Sequence, residues 1–355
     1  MRILVFLFVI FSSQLLAQNL GVYQDDRNYF YLFDGQQMSF LEHQPIQNFK
    51  VSNRYVAYTD YNGNFQFQYE GEKYDLSIIS PQYQVTDNFM TYFLDEQIYL
   101  FNGEKIQMIE PWLENNFVMS DSVVGFTNTY REFKVYYEDS LYTLELFDVM
   151  HAKAGDNLVA YIDAGEIFKV FYKGERQTID DLPPLSYEVS QDIIAYTDAY
   201  GDFKIWYKGD IFDIQYETPS VYKTAEEMVA YVNERNEFVV FYDGVLYDLM
   251  TCQPNYYKII DNMLVYADDN GFVYVFYKGK TTRLVTYMPS KLEVDKDIVV
   301  YQDLDGYLKG FYQGSKIDVS NQIVLDFDLY NHTVIMQTRP TSWKAFYNGQ
   351  IYGDN

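Results

Sequence analysis

The chain has 355 residues, 48% apolar and 19% aromatic, with 51 acidic residues against 26 basic ones. So acidic a protein repels phosphate backbones and anionic lipid, which excludes nucleic acid and membrane surfaces as natural partners. One cysteine, Cys252, excludes an internal disulfide, so the fold rests on packing, and the thiol reads as a small apolar side chain near a loop.

Residues 1–17 read as a secretory signal peptide. Met1-Arg2 is a short basic start, Ile3 to Phe11 an apolar run, and Ser12 to Ala17 ends on a small residue. The apolar run is shorter than the ~20 residues that span a bilayer. Cleavage after Ala17 is therefore expected, giving an exported protein, periplasmic or extracellular, with no membrane insertion afterwards. Residues 18–355 show no linker and no shift in composition, and are expected to form one domain.

That domain is one pattern repeated. It is clearest from Gln191 to Ile214: an apolar run ending in an aromatic (Ile193 to Tyr196), then Asp198, then Phe203 to Tyr207, then Lys208-Gly209, then Ile214. The terminal aromatic recurs at Tyr23, Tyr58, Tyr92, Phe126, Tyr161, Tyr196, Tyr231, Tyr266 and Tyr301, then Met336, in steps of 34 or 35. A fixed period of this size marks a repeat architecture. The runs, rich in Val, Ile, Tyr and Phe, read as strands. The Lys208-Gly209 pair reads as a two-residue hairpin turn, glycine supplying the positive φ. Only Glu138-Asp139 lacks that glycine. A weaker apolar pair such as Tyr187/Val189 opens each unit, often after proline (Pro184, Pro219, Pro254, Pro289). Each unit is thus a four-stranded antiparallel meander. The first unit begins at its second strand, and the last ends in the short strand Gln350-Ile351-Tyr352. The expected fold is all-β, a propeller-like ring of about ten units, the alternative being an open superhelical array of the same units.

The pattern Ser190-x-Asp192-Ile193-Ile194-Ala195-Tyr196, followed by an aromatic strand, a turn and a short apolar strand, resembles the WD-repeat-like (TolB-type) β-propeller repeats of exported bacterial proteins. The resemblance covers nearly all of residues 18–355. It implies four-stranded blades in a ring and carries no catalytic residues, because that repeat is a scaffold with many uses. The Pro-Asp-Gly turn usual in that family is absent here.

No constellation for chemistry emerges. His43, His151 and His332 lie far apart, with no zinc-ligand spacing, nucleophile elbow or phosphate loop nearby. No cofactor, no metal and no catalytic residue is expected. An acidic column (Asp25, Asp60, Asp163, Asp198, Asp268, Asp303, with Asn128 and Asn233) reads as turn chemistry: the side chain bonds its own backbone ahead of a glycine. Two functions remain. The first is a non-catalytic exported binding or scaffold module. The second is a glycan-active enzyme using carboxylates on the propeller face, which carboxylates converging on one pocket would favour.

Departures from the repeat indicate where function sits. Trp112 is a tryptophan the repeat does not demand, and Arg131, Arg235 and Arg339 fall in irregular turns. All four lie in the connections between second and third strands or between units. A partner, protein or glycan, is expected on that long-loop face, with Trp112 and Arg131 in adjacent units as its first anchors.

Overall fold

In the computed structural model, residues 19–353 are described; they contain strands and turns and no helix. The expected signal peptide lies outside the described residues. The strands form ten antiparallel sheets, one per repeat, each ordered as it runs in the chain. Blade 1 has three strands among the described residues, starting at Gly21. Blades 2 to 10 have four each, starting at Asn48, Tyr83, Leu113, His151, Ser186, Val221, Tyr256, Leu292 and Asp326.

The pattern of burial explains the ring. In blade 6 the second strand (Ile193–Thr197) is buried throughout, and the third (Phe203–Tyr207) nearly so. Ile193, Ala195, Phe203, Ile205 and Tyr207 pack on Val229, Tyr231, Val239 and Phe241 of blade 7. The core therefore lies between blades, and no blade buries its apolar faces alone. First strands of neighbouring blades touch, so they line a central channel, while fourth strands form the rim.

The ring closes. Asn19 donates from Nδ2 to the Tyr347 hydroxyl at 2.9 Å, and its carbonyl accepts from Thr333 Oγ1 at 2.9 Å. Tyr23 stacks on Trp343 at 4.8 Å, and Phe33 packs on Tyr352 at 5.1 Å. The open array is thereby excluded.

Two local details refine the sequence reading. In most turns between third and fourth strands both residues are left-handed: Lys208 has φ 52° and Gly209 φ 107°. This twist matches that of the flanking strands. Glu138 and Asp139 adopt it without glycine, at 45° and 56°. Nine blades also carry a bulge between third and fourth strands, as at Phe203/Lys204, which coils the outer strand; blade 10 has none.

Blade 10 departs in one further respect. At the start of the third strand nine blades seal an apolar side chain completely: Phe30, Phe65, Ile98, Phe133, Phe168, Phe203, Phe238, Val273 and Leu308. The tenth counterpart is Trp343, which remains partly exposed.

Candidate functional site

The meander sends two kinds of connection to opposite faces. Turns between first and second strands, and between third and fourth, emerge on one face and are polar. The longer connections emerge on the other. Every large apolar side chain more than 60% exposed lies on this long-loop face, among them Tyr130, Phe147, Tyr200, Tyr216 and Leu304.

Trp112 and Arg131 sit together there. The Thr129 N–H donates to the Trp112 carbonyl at 3.0 Å, tying the connection into blade 4 to that blade's own loop. Arg131 Nε pairs with Asp148 at 3.3 Å, and Asn116 Nδ2 donates to the Val149 carbonyl at 2.9 Å, which adds the connection leaving the blade. Leu146, Phe147 and Met150 in that connection are exposed, as are Trp112 and Tyr130. Arg131 has φ 69° in the turn position where Gly63, Gly201, Gly271 and Gly306 stand in other blades. A side chain held in that region costs about 1 kcal/mol or more, and such strain tends to collect where it serves a function. Arg235 and Arg339 are also exposed on this face, but in blades 7 and 10, so the four residues do not converge on one spot.

The acidic column does turn work. Asp198 Oδ1 accepts the N–H groups of Tyr200 and Asp202 at 2.9 and 3.0 Å, and its other oxygen meets Lys204 at 2.8 Å. Asp163 and Asp303 repeat the arrangement with Lys169 and Lys309. Burial opposes the charge of all three, yet the lysines and N–H groups hold their carboxyls below the usual range. Among the described residues no group of three or more His, Cys, Asp or Glu side chains is arranged to hold a metal ion. Cys252 approaches the Asp269 carboxylate at 3.5 Å, and burial together with that carboxylate pushes its thiol up, away from the reactive thiolate.

A cavity of about 560 Å³ opens on the opposite, polar face, at the mouth of the central channel. Its wall is a column that sequence reading missed. In the turn after the first strand stand Asn53, Asp87, Asp121, Asp156, Gln191, Glu226, Asp261, Lys296 and Asn331 in blades 2 to 10, spaced 34 or 35 apart, and all but Asn53 line the cavity. Together with Asp295, six carboxylates line the mouth against one cation. Most are tied to a neighbouring blade. Asp87 accepts from the Asn53 N–H at 2.8 Å, Asp121 from the Asp87 N–H at 2.9 Å, and Asp156 from Ser120 Oγ at 3.0 Å. Glu226 accepts from Asn262 Nδ2 at 2.7 Å and Asp295 from the Asn331 N–H at 2.7 Å. Lys296 reaches across the opening from blade 9 to pair with Asp87 of blade 3.

Burial, with repulsion from neighbouring carboxylates, raises several of these acids. Burial, then Asp156, pushes Asp121 up to about 6, although the Asp87 N–H opposes this. Burial with Asp261 and Asp156 pushes Glu226 up to about 7. Burial takes Asp261 to about 6 despite Lys296, with Asp295 and Asp156 adding to the rise. Burial works against the charge on Lys296, but Asp87, Asp261 and Asp121 hold it above its ordinary value. At the closing seam of the same face, His332 bonds both Asp297 and Asn19.

Comparison with known proteins agrees with this architecture. A family model described as the 10-bladed beta propeller domain matches residues 14–352. No curated protein matches the chain. Similar solved structures include the computationally designed Ika8 protein, 17% identical over 75% of this chain and 95% of that one, with a TM-score of 0.34. BamB from Moraxella catarrhalis is 10% identical over 75% and 96%, at 0.31. The CRINKLY WD40 ectodomain of the Arabidopsis thaliana receptor kinase ACR4 is 10% identical over 65% and 92%, at 0.36. Likenesses this distant carry no argument about function.

Proposed function

The chain belongs to the 10-bladed beta propeller domain family, and from that footing we propose an exported, non-catalytic binding or scaffold module that docks a protein partner on its long-loop face. One observation carries the reading: the most exposed apolar side chains all lie on that face, and patches of this kind mark interaction sites. The same loops carry Asp26, Asp181, Glu217 and Asp305, so the complementary surface is apolar with Lys and Arg at its rim. Trp112 and Arg131 are the expected anchors, with Arg235 and Arg339 as outlying contacts; truncating an anchor costs about 1–3 kcal/mol of binding. The test selects displayed peptides on the protein and maps the winners by hydrogen exchange. Peptides rich in aromatic and basic residues should protect the loops around Trp112, Arg131 and Phe147. Trp112→Ala and Arg131→Ala should weaken them, while Lys208→Ala and Lys278→Ala on the polar face should not. Protection confined to the polar face would refute the assignment.

The crowded carboxyls favour a second reading, a glycan-active enzyme. A carboxyl raised to about 7, as at Glu226, is suited to donate a proton at neutral pH. Hydrolysis of aryl glycosides that disappears in Glu226→Gln would support it. Against it stand the inter-blade hydrogen bonds that already occupy most of these acids.

A further inference from the structure

A cavity of about 520 Å³ opens at the rim of the long-loop face, between the end of blade 7's fourth strand and the turn of blade 8 that carries Asp268. Leu249 and Met250 give it an apolar wall, and Glu237, Asp248, Asp268 and Asp269 surround that wall with carboxylates. No Lys or Arg lines it. Acidic residues alone would name no ligand. The repeat names one, because it builds the same cavity one blade earlier and puts a lysine in it. In blade 6, Asp202, Asp213, Ile214 and Gln215 stand 35 residues before Glu237, Asp248, Leu249 and Met250, and they line a cavity of about 360 Å³ together with Lys204.

Lys204 shows what carboxylates at this place take. It stands opposite Asp213 across the third and fourth strands, and its ammonium lies 2.8 Å from Asp198 Oδ2 and 3.9 Å from Asp213 Oδ1. Blade 9 repeats the pairing, with Lys309 opposite Asp318 and 3.1 Å from Asp303. The position is lysine in five blades, at Lys134, Lys169, Lys204, Lys309 and Lys344, and Tyr or Gln in four others. Blade 7 alone places an aliphatic residue there, the buried Val239, opposite Asp248. Asp248 is exposed, and among the described residues no hydrogen bond or ion pair engages its carboxylate. Its neighbours are held by neutral donors: Glu237 by Asn233 Nδ2 at 2.8 Å, and Asp268 by the Asn270 and Phe272 N–H groups at 2.9 Å. The cation of blade 8, Arg283, lies over the Phe272 ring and does not line the cavity.

We propose that this cavity takes the side chain of a lysine presented by the protein partner, its ammonium in the place that Lys204 fills in blade 6 and its methylenes along Leu249 and Met250. The inference rests on the reading that a partner docks on the long-loop face. A lysine stem lies readily along apolar surface while its head seeks charge, and the carboxylates favour a cation over a neutral chain of the same shape. A compact ammonium with three rotatable donors can meet carboxylates arriving from two blades, whereas a planar guanidinium fork suits a single carboxylate. No blade carries Arg at the lysine position. Because only blade 7 lacks a polar side chain there, a lysine seated beside it fixes the partner's rotational setting on the ring.

The test labels the methionine methyls of the full chain with carbon-13 and follows Met250 by NMR during titration with N-acetyl-lysine methylamide at millimolar concentration. The norleucine analogue, which lacks only the amino group, and putrescine, a free amine, are titrated alongside. The lysine compound should shift the Met250 methyl and bind about tenfold more tightly than the norleucine one. Asp248→Asn should weaken it by about tenfold. Val239→Lys, which restores the repeat's own lysine opposite Asp248, should abolish it. Asp213→Asn in blade 6, where Lys204 is already seated, should change nothing. Equal affinity for the lysine and norleucine compounds, binding that survives Asp248→Asn unchanged, or binding of putrescine alone would overturn the proposal. Selected peptides that protect the loops around Trp112 and Arg131, yet keep their affinity when every lysine is replaced by norleucine, would overturn it too and leave the docking face standing. Peptide protection confined to the polar face would remove the docking face and, with it, the partner that this lysine belongs to.

Discussion

Acid should strengthen this protein before it weakens it. Glu226 ordinarily titrates near 4.5 and is raised to about 7 in the ring, while Asp121 and Asp261 rise from 3.8 to about 6. Between the unfolded and folded values the native state binds more protons than the unfolded chain, so stability falls as pH rises through that interval. At 1.36 kcal/mol per pH unit, each group alone costs the fold about 3 kcal/mol at pH 8. The three are partly hydrated and repel one another, so protonating one relieves the next. The expected combined gain between pH 8 and pH 5 is therefore about 3–5 kcal/mol rather than the full sum. Carboxyls held low, such as Asp163, Asp198 and Asp303, protonate only below this window and do not offset the gain. Calorimetry at constant ionic strength should show the melting temperature climbing by about 5 °C over that range. Glu226→Gln should flatten the climb and raise stability at pH 8. A melting temperature that is level or falling from pH 8 to pH 5, or a slope unchanged in Glu226→Gln, would refute the reasoning.

Three further outcomes are expected, each measured by chemical denaturation. Lys296→Met removes the cation from the mouth and should cost about 2–3 kcal/mol at pH 8, less than for a fully buried pair, with the loss fading toward pH 5 as its neighbours protonate. Gly155→Ala should cost about 1–3 kcal/mol, because its new Cβ would lie 2.3 Å from the Ser190 carbonyl oxygen on the next blade. Arg131→Gly should stabilise by about 0.5–1 kcal/mol, since glycine occupies the left-handed region without strain; the same substitution should weaken any partner held by that side chain.

The architecture was legible because each repeat obeys one rule. Ten aromatics such as Phe33 and Tyr207 stand two residues before the turn's glycine, or before Asp139, and apolar residues follow at fixed offsets, so strand order and blade count followed from the period. Closure was not legible. It depends on contacts more than 300 residues apart, as between Asn19 and Tyr347, and no local pattern encodes those. The bulge beside Phe203 was hidden for a related reason: one extra residue in a strand leaves no mark on composition. The channel-mouth column was visible but unread. Its members differ in type, Asp, Glu, Gln, Asn and Lys, so it lacks the uniformity that made the glycines and aromatics stand out. What unites them is the place where the nine described first strands end, and only closing the ring brings them together.

The channel mouth and the closing seam stand in opposite relations to the repeat. The channel mouth is the repeat's own product: one polar position per blade, multiplied by symmetry, gives a concentrated negative field that Lys296 only partly offsets. Most of its acids join blades, and the raised pKa values of Asp121, Glu226 and Asp261 come from burial first and from crowding second. The closing seam differs: there the head of the third strand carries Trp343, where nine other blades close with a smaller, fully buried apolar side chain. A ring of near-identical units has few places that differ from all the rest, and a ligand that must bind once needs such a place. The long-loop face meets the same requirement differently, through Trp112, a tryptophan that no other blade carries at that place. Specific recognition on a repeated scaffold is thus assigned to the positions where its symmetry fails.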